Sequence, residues 1–407
     1  MSSFLFAQGK LLIPMDFSQS DHLKAYGITF LALTKSLKAD WLLNYKGGSF
    51  LIDNDNDIAT QCRVEGVSME IISTAQANEI YSIVQSEDQN TEVMRLEKPP
   101  KIAVYVPPGL MPWDDAVTLA LEYAKIPYTK VWNEEILNGK LGEYDWIHLH
   151  HEDFTGQYGK FFANYSNAQW YVEQQIRYEA DSKRLGYNKV SEMMKAVAVS
   201  IQGFVAKGGF LFAMCSATDS YDIALSAQNV DICDKMYDGD APDADVQSKL
   251  SFSNTLAFEN FKLEMNPYFY EYSDIDIQPA EIGSQDNDYF ALFNFSAKYD
   301  PVPTMLTQNH VNLVKGFMGQ TTMFRKELIK KSIIIMGERA GTNQVKYLHG
   351  NFGRGTFTFY GGHDPEDYQH LVGAPPTELS LHKNSPGYRL ILNNVLFPAA
   401  KKKKQKT

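Results

Sequence analysis

The segment from Lys207 to Asp219 constrains the fold more than any other part of the chain. It reads Lys207-Gly-Gly-Phe-Leu-Phe-Ala-Met-Cys215-Ser-Ala-Thr-Asp219, so that an unbroken apolar run follows two glycines. Such a run is typical of a strand that is buried on both faces of a sheet. We therefore predict a buried strand that delivers Cys215 to a tight strand-to-helix turn. We expect Thr218 or Asp219 to cap a helix that begins near Tyr221.

Composition limits the classes of protein to which the chain can belong. The 407 residues are 44% hydrophobic and 21% charged, which is ordinary for a globular protein and enough for one large core or two moderate ones. The formal net charge is −11, and the only basic run is the tail 401–407. We therefore expect no nucleic-acid partner. The tail is interpreted as a solvated terminus, with contact to an anionic surface as the alternative. No stretch is apolar for about 18 residues, so no transmembrane segment is predicted.

The N-terminus and the cysteines bear on where the protein works. Residues 1–8 are apolar and uncharged and resemble the end of a secretory signal peptide, so a periplasmic or secreted protein is expected, with a cytoplasmic one as the alternative. The three cysteines form no disulfide framework. If the protein is exported, Cys62 and Cys233 are the pair most suited to a disulfide, which leaves Cys215 free.

Short apolar runs alternate with amphipathic stretches along most of the chain. This pattern predicts an α/β protein with a mostly parallel sheet and helices on both faces. Pro99-Pro100 separates an N-terminal α/β subdomain, 9–98, from a second α/β domain, 99–400. Within the second domain, residues 231–299 are rich in Asp, Asn, Tyr and Phe and are interpreted as a β-rich insertion at the rim of the sheet. A hairpin is predicted to turn at 351–355.

Cys215 has the sequence context of a nucleophile at a strand-to-helix turn. Ala213 and Ala217 lie two residues before and after it, and such a turn needs small residues at those two positions. The N-terminus of the following helix lowers a thiol pKa. The alternative is a buried structural cysteine.

A histidine follows a later strand in Tyr360-Gly-Gly-His-Asp-Pro-Glu-Asp367. A thiol nucleophile needs a base within hydrogen-bond reach and a carboxylate that orients the base. His363 with Glu366, or with Asp364 or Asp367, supplies these types. The alternative is a histidine that only satisfies the backbone of a loop.

A histidine-rich segment, His148-Leu-His-His-Glu-Asp153, lies at the end of the predicted strand 145–150, with His148 and His150 on one face of the strand and His151 and Glu152 in the loop. His150, His151, Glu152 and Asp153 are expected to line a polar ligand pocket together with Ser216 and Asp364. His148, His150 and His151 are a weaker candidate set of zinc ligands, and ordinary loop hydrogen bonding is the third interpretation.

The order of these features resembles the class I glutamine-amidotransferase-like superfamily, which includes the trehalose-utilisation-type proteins. The features are a long helix, a Gly-Gly strand that ends in cysteine, a glycine-rich turn and a strand that ends in Gly-His, over roughly residues 99–400. The resemblance implies a flavodoxin-like three-layer fold and a Cys–His–Glu triad, here Cys215, His363 and Glu366, that releases ammonia from glutamine. His363 and Glu366 are three residues apart, whereas the superfamily pattern has two. The loop after the preceding strand reads His150-His-Glu-Asp-Phe-Thr-Gly156 instead of a Gly-Gly-Pro-like turn.

The whole chain also resembles proteins of Bacteroidetes that are called asparagine synthetase B. Asparagine synthetases carry a catalytic cysteine at the mature N-terminus and a Ser-Gly-Gly-x-Asp-Ser loop. Here Ser2 follows Met1, and the loop is absent from the sequence. Because both of these features are missing, synthetase activity is not expected despite the resemblance.

Three functions are consistent with these residues. The first is a thiol-dependent amide hydrolase that uses Cys215, His363 and Glu366 and needs no cofactor. The second is a non-catalytic module that binds a carbohydrate or another cell-envelope ligand. The third is a metal-dependent hydrolase that uses His148, His150 and His151 of the 148–152 segment together with His363. A small molecule or a glycan is the expected ligand in each case, and the sequence does not predict the oligomeric state.

Overall fold

A computed structural model describes residues 9–109, 115–277, 279–282, 288–300, 308–369 and 374–401. Residues 1–8, interpreted above as a signal-peptide remnant, and residues 402–407 of the basic tail lie outside this range. Of the helices that the structure describes, none combines the length and the apolar character that a membrane crossing needs.

The N-terminal part of the chain forms its own five-stranded sheet, in the order β4-β1-β3-β2-β5. All of the strand pairs described in it are antiparallel. Its strands are β1 (Lys10–Ile13), β2 (Ala39–Leu43), β3 (Ser49–Asp53), β4 (Glu70–Ile72) and β5 (Glu92–Leu96). The helices of this part are α1 (His22–Thr34), α2 (Asn56–Glu65) and α3 (Thr74–Val84).

The rest of the chain builds a ten-stranded sheet in the order β11-β10-β13-β14-β15-β9-β8-β6-β7, with β12 paired to β14. Its first strands are β6 (Ile102–Tyr105), β7 (Thr129–Val131), β8 (Trp146–Leu149) and β9 (Phe210–Met214). The later strands are β10 (Tyr289–Leu292), β11 (Leu313–Lys315), β12 (Phe324–Arg325), β13 (Ile334–Glu338), β14 (Gln344–Phe352) and β15 (Gly355–Tyr360).

The predicted mostly parallel, flavodoxin-like fold of the class I glutamine-amidotransferase type is wrong. Strands β7, β6, β8, β9 and β15 are parallel neighbours. From β15 onward every described pair is antiparallel, through β14, β13, β10 and β11. The sheet is therefore mixed. β10, which comes from the segment interpreted as a rim insertion, is a member of this antiparallel half.

Helices pack on the mixed sheet, and the sheet separates two large apolar cores. The helices of this part are α4 (Ala116–Tyr123), α5 (Asn133–Leu137), α6 (Phe162–Tyr165), α7 (Gln169–Arg184), α8 (Val190–Ala206), α9 (Ala217–Ser226), α10 (Lys235–Asp238), α11 (Val246–Lys249), α12 (Pro279–Ile282) and α13 (Pro386–Leu396). One core joins α1, α4 and α13 to the N-terminal sheet, and the other lies under α7, α8 and α9. Alternate residues of β9 enter the two cores, as Phe212 and Ala213 do. The prediction that β9 is buried is confirmed.

Local sequence signals explain several of these elements. The hairpin predicted to turn at 351–355 is formed by β14 and β15, and it is confirmed. Ser385 caps α13 through its side chain and Pro386 begins the helix, because proline fits the first helical turn. The cysteine pair suggested for an exported protein is not formed. Cys62 and Cys233 are free thiols, and they are buried in different cores.

Candidate functional site

Cys215 occupies a strained turn between β9 and α9. Its φ is +50°, in the left-handed region that residues with a side chain rarely adopt. Ala213 and Ala217 are fully buried beside it, which leaves room for the tight turn. The predicted turn is confirmed, but the predicted start of the helix is wrong. The helix begins at Ala217, directly after Ser216, and Asp219 lies inside its first turn.

The sulfur of Cys215 is enclosed by backbone. The residue is 1% exposed, and Gln320 donates its backbone N–H to the sulfur at 3.3 Å. Burial raises the pKa of the thiol to about 11, while the backbone N–H groups of Gln320, Ser216 and Thr321 act in the opposite direction. The thiol is therefore protonated at neutral pH in this conformation.

Residues 317–322, which we call the covering loop, hold Gln320 against the cysteine. Lys346 is fully buried and holds the two ends of the loop. Its ammonium group donates to the carbonyl oxygens of Phe317 and Thr322, the latter at 2.9 Å. Burial lowers the pKa of Lys346 to about 7. The Gln320 side chain continues the loop outward and donates to the carbonyl oxygens of Gly159 and Tyr270 at 2.7 and 3.1 Å.

Asp219 ties the covering loop to the first turn of α9. The Thr321 hydroxyl donates to its Oδ1 at 2.8 Å, and its Oδ2 is buried with no described hydrogen-bond partner. Burial raises the pKa of Asp219 to about 7, so a proton on this carboxyl group is favoured up to neutral pH.

Four parallel strands end at the same edge of the sheet, and each is followed by a polar side chain. Asp115 comes after β6, His150 after β8, Cys215 after β9 and His363 after β15. The Cys215 N–H donates to the carbonyl oxygen of Gly362 at 3.1 Å, and the Ala217 N–H donates to that of His150 at 3.1 Å. The carboxyl ends of parallel strands are where open α/β sheets assemble their sites.

Three imidazoles converge at this edge. His150 Nε2 and His363 Nδ1 are 3.1 Å apart, and their rings lie 4.4 Å apart between centroids. His151 lies 5.3 Å from the His150 ring and 5.8 Å from the His363 ring. His150 and His363 are buried, whereas His151 is exposed to solvent. The sequence-predicted residues His150, His151 and His363 are thus brought together.

Asp115 lies behind the histidines. Its Oδ1 is 3.6 Å from His150 Nδ1, and its Oδ2 is 3.1 Å from His148 Nε2. The carboxylate also accepts the backbone N–H groups of Val117 and Thr118 at the start of α4, which fixes its orientation. His148 faces Asp115 and the Phe212 carbonyl oxygen, 3.1 Å from its Nδ1.

The Glu366 carboxylate lies with a different histidine. Its Oε2 accepts the Tyr368 hydroxyl at 2.8 Å and is 3.1 Å from His382 Nδ1. Asp364 accepts the Glu366 N–H at 2.8 Å, and burial raises the pKa of Asp364. The role of Glu366 beside His363 stays a prediction.

The remaining predicted pocket residues also organise the loop after β8. Glu152 accepts the His150 N–H at 3.0 Å, and Asp153 accepts the N–H groups of Thr155 and Gly159 at 2.7 and 3.1 Å. Burial raises the pKa of both carboxyl groups. Ser216 donates to the carbonyl oxygen of His151 at 3.2 Å. Ligand binding by this group stays a prediction.

Sequence reasoning missed Asp115, Gln320 and Lys346. A signal for Asp115 exists, because Trp113-Asp-Asp115 follows a predicted strand just as the histidine segments do. Gln320 and Lys346 lie in segments without a comparable pattern, and they reach the cysteine only through the non-local packing of the covering loop.

Comparison with known proteins adds little to this geometry. No protein-family profile and no curated protein sequence matches the chain. Among solved structures, the chain is similar to the cytoplasmic proteins STM3548 from Salmonella typhimurium and STM1381 from Salmonella typhimurium LT2. The identities are 9% and 10% and the TM-scores 0.36 and 0.35, over 74% of this chain and 100% of theirs. A beta-galactosidase from Bacillus circulans sp. alkalophilus matches at 11% identity and TM-score 0.27, over 70% of this chain and 31% of that one.

Proposed function

We propose that the chain is a thiol-dependent hydrolase of carboxamides, with Cys215 as its nucleophile. The observation that carries the proposal is the φ of +50° at Cys215, between a buried strand and a helix N-terminus. Strained backbone of this kind costs about 1–3 kcal/mol and clusters at active sites. The resemblance of the sequence to class I glutamine amidotransferases supports an amide as the substrate.

The proposed reaction assigns the base to His363. His363 removes the thiol proton while the Cys215 sulfur attacks the amide carbon, and the same imidazole returns the proton to the departing amine. Water then hydrolyses the thioester to a carboxylic acid and restores the thiol. His150, 3.1 Å from His363 Nδ1, and Asp115 behind His150 supply the orienting groups that such a base needs.

The covering loop is part of this proposal. Burial raises the pKa of the thiol to about 11 and makes it a poor nucleophile at neutral pH, so the covering loop must withdraw from the sulfur far enough to admit a substrate while the Gln320 N–H stays at the site. The backbone N–H groups of Gln320 and Thr321, which now face the sulfur, are then free to bind the oxygen of a tetrahedral intermediate.

Release of ammonia from glutamine, asparagine and simple peptide amides tests the proposal. The wild-type protein is expected to hydrolyse one of these classes, and Cys215→Ser and His363→Asn to lose at least 100-fold in kcat/KM. His382→Asn serves as the control, because His382 pairs with Glu366 and is not one of the three converging imidazoles. Hydrolysis that survives Cys215→Ser and is lost with a chelator contradicts the thiol reaction and favours the metal-dependent hydrolase.

A specific observation favours carbohydrate binding as a second function. Trp170, Tyr268 and Phe269 are 41%, 62% and 52% exposed, and Phe161 and Phe162 contact Trp170 and Tyr268. Exposed aromatic rings with polar neighbours suit stacking on sugars. Retention on insoluble peptidoglycan or polysaccharide, lost in Trp170→Ala and Tyr268→Ala but kept in Phe17→Ala, is the expected result. Equal retention of all three variants contradicts it.

A further inference from the structure

We infer that His150, His151 and His363 form a binding site for a divalent transition metal of the zinc type. One ring nitrogen from each lies within 4.8 Å of the others. Of the four histidines that the sequence suggests for a metal-dependent hydrolase, the structure groups these three, whereas His148 faces Asp115 and the Phe212 carbonyl oxygen. The three residues follow the ends of two strands, and His150 and His363 are 213 positions apart in the sequence, so the spacing of the histidines does not reveal the site.

The distances suit tetrahedral coordination by imidazole. Zinc–nitrogen bonds are about 2.0–2.1 Å, which places adjacent ligand nitrogens roughly 3.3 Å apart. His150 Nε2 and His363 Nδ1 are 3.1 Å apart, close to this separation. His151, which is exposed, has a ring nitrogen within 4.8 Å of the other two and completes a three-histidine set. Three protein ligands leave a fourth position for water or substrate, as in catalytic zinc sites.

Asp115 supplies the outer support that metal-binding histidines require. A ligating histidine usually gives its second ring N–H to a carboxylate or a carbonyl oxygen, and this contact fixes the tautomer. His150 approaches this arrangement, because Nε2 faces His363 and Nδ1 lies 3.6 Å from Asp115 Oδ1, slightly beyond direct hydrogen-bond distance. Because Asp115 is the N-cap of α4 and its carboxylate accepts two backbone N–H groups there, the support is rigid.

The site also has the access that a metal ion needs. His150 and His363 are buried and positioned by strand ends, and His151 is exposed on the solvent side. Imidazole ligands suit zinc, copper, nickel and iron, whereas calcium and magnesium prefer oxygen ligands. The inference does not depend on the proposed hydrolysis. A metal held by His363 would engage the imidazole that the thiol reaction uses, so the metal-bound form and the hydrolytic form exclude each other.

Isothermal titration of the metal-free full chain with zinc, together with elemental analysis after dialysis, tests the inference. We expect one equivalent of zinc to bind. His150→Ala and His363→Ala are expected to lose at least 10-fold in affinity, and His382→Asn is expected to bind as the wild type does. Cobalt serves as a second probe, because its visible absorption reports coordination by nitrogen without any measurement of activity.

Two further variants separate this inference from the proposed reaction. Cys215→Ser is expected to bind zinc with unchanged affinity even if hydrolysis is lost. Asp115→Asn keeps a good helix cap and is expected to weaken zinc binding 10- to 100-fold, the usual effect of removing an outer partner. Circular dichroism of each variant establishes that it is folded. Absence of zinc binding by folded wild-type protein, or binding that persists in the folded double variant His150→Ala/His363→Ala, overturns the inference.

Discussion

At the scale of single residues, the backbone conformation of Cys215 leads to a prediction about stability that does not depend on the reactivity of the thiol. At a φ of +50°, a residue with a side chain is disfavoured by about 1–2 kcal/mol relative to glycine. Cys215→Ala and Cys215→Gly both remove the sulfur, but only glycine relieves the strain. We therefore expect Cys215→Gly to be more stable than Cys215→Ala by up to about 1 kcal/mol, after the larger entropy of glycine in the unfolded chain is subtracted.

Chemical denaturation measures this difference, and a position in the adjoining helix provides the control. Ala224 is buried in the interior of α9. There, alanine→glycine is expected to cost at least about 1 kcal/mol, the opposite sign, because it loses helix propensity and also removes a buried methyl group. If Cys215→Gly proves less stable than Cys215→Ala by a similar amount, the left-handed conformation at Cys215 is refuted.

The buried carboxyl group of Asp219 predicts a pH dependence of stability. Its folded-state pKa of about 7 lies above the ordinary value of about 3.9. The stability that its proton contributes is therefore complete below about pH 4 and is lost as the pH rises to 7. Asp219→Asn imitates the protonated form, so its stability relative to the wild type should increase by roughly 2–4 kcal/mol between pH 4 and pH 8.

Denaturant unfolding at several pH values checks this prediction. Asp57→Asn is the matched control, because the Asp57 side chain is 80% exposed on the surface of α2. The difference between this control and the wild type should change little over the same range. A stability difference for Asp219→Asn that does not vary with pH is the result that contradicts the assignment.

At the scale of elements, the covering loop predicts the reactivity of Cys215. Lys346 holds both ends of the loop through the carbonyl oxygens of Phe317 and Thr322. Lys346→Met fills a similar volume but removes both hydrogen bonds, so the loop should open more often. We expect iodoacetamide to label Cys215 at least 10-fold faster in this variant, as measured by peptide mass spectrometry.

The protein contains its own controls for this experiment. Cys62 and Cys233 are also buried, and they report global unfolding when they are labelled. Their labelling rates should stay unchanged in Lys346→Met. Lys330→Met removes a comparable hydrogen bond from a lysine to a carbonyl oxygen, that of Thr255. In this variant the labelling of Cys215 should stay as slow as in the wild type. Equal acceleration of all three cysteines would show that Lys346 stabilises the whole fold and has no local effect on the loop.

Elements whose signals are local were predictable from the sequence. The Phe210–Met214 strand, the turn at Cys215, the β14–β15 hairpin and the cap at Ser385 each depend on a few neighbouring residues. The start of α9 was misjudged because Thr218 and Asp219 are good capping residues by type. In the structure, Asp219 does not cap the helix, and its side chain accepts a hydrogen bond from the distant Thr321 hydroxyl.

At the scale of the whole molecule, the direction of the strands could not be predicted. An apolar strand buried on both faces has the same pattern whether its neighbour is parallel or antiparallel. The position of β10 next to β13 depends on contacts across more than 40 residues, which periodicity does not encode. The histidine cluster was predictable only as separate strand-end motifs. Their meeting follows from the adjacency of β8, β9 and β15.

The two sheets are joined by a buried arginine, and this predicts how the molecule unfolds. Arg389, on α13, is fully buried and donates to the carbonyl oxygens of Met15 and Gly47 and to the Tyr26 hydroxyl. The helices α1, α4 and α13 also share one apolar core with the N-terminal sheet. We therefore expect the five-stranded sheet to be unstable alone and to unfold together with the main sheet in one cooperative transition.

Arg389→Met tests this coupling. It removes the arginine's hydrogen bonds to the carbonyl oxygens of Met15 and Gly47 and to the Tyr26 hydroxyl, and it should cost roughly 3–5 kcal/mol in the free energy of unfolding. Arg63→Met, on the exposed face of α2, should cost less than about 0.5 kcal/mol. Hydrogen exchange read by mass spectrometry separates cooperative from independent unfolding. In the wild type, β1 to β3 and β8 to β9 should lose protection at the same denaturant concentration. Loss of protection at a lower denaturant concentration in β1 to β3 alone would mean that the N-terminal sheet is a separate folding unit. Arg389 would then only hold it against the main sheet.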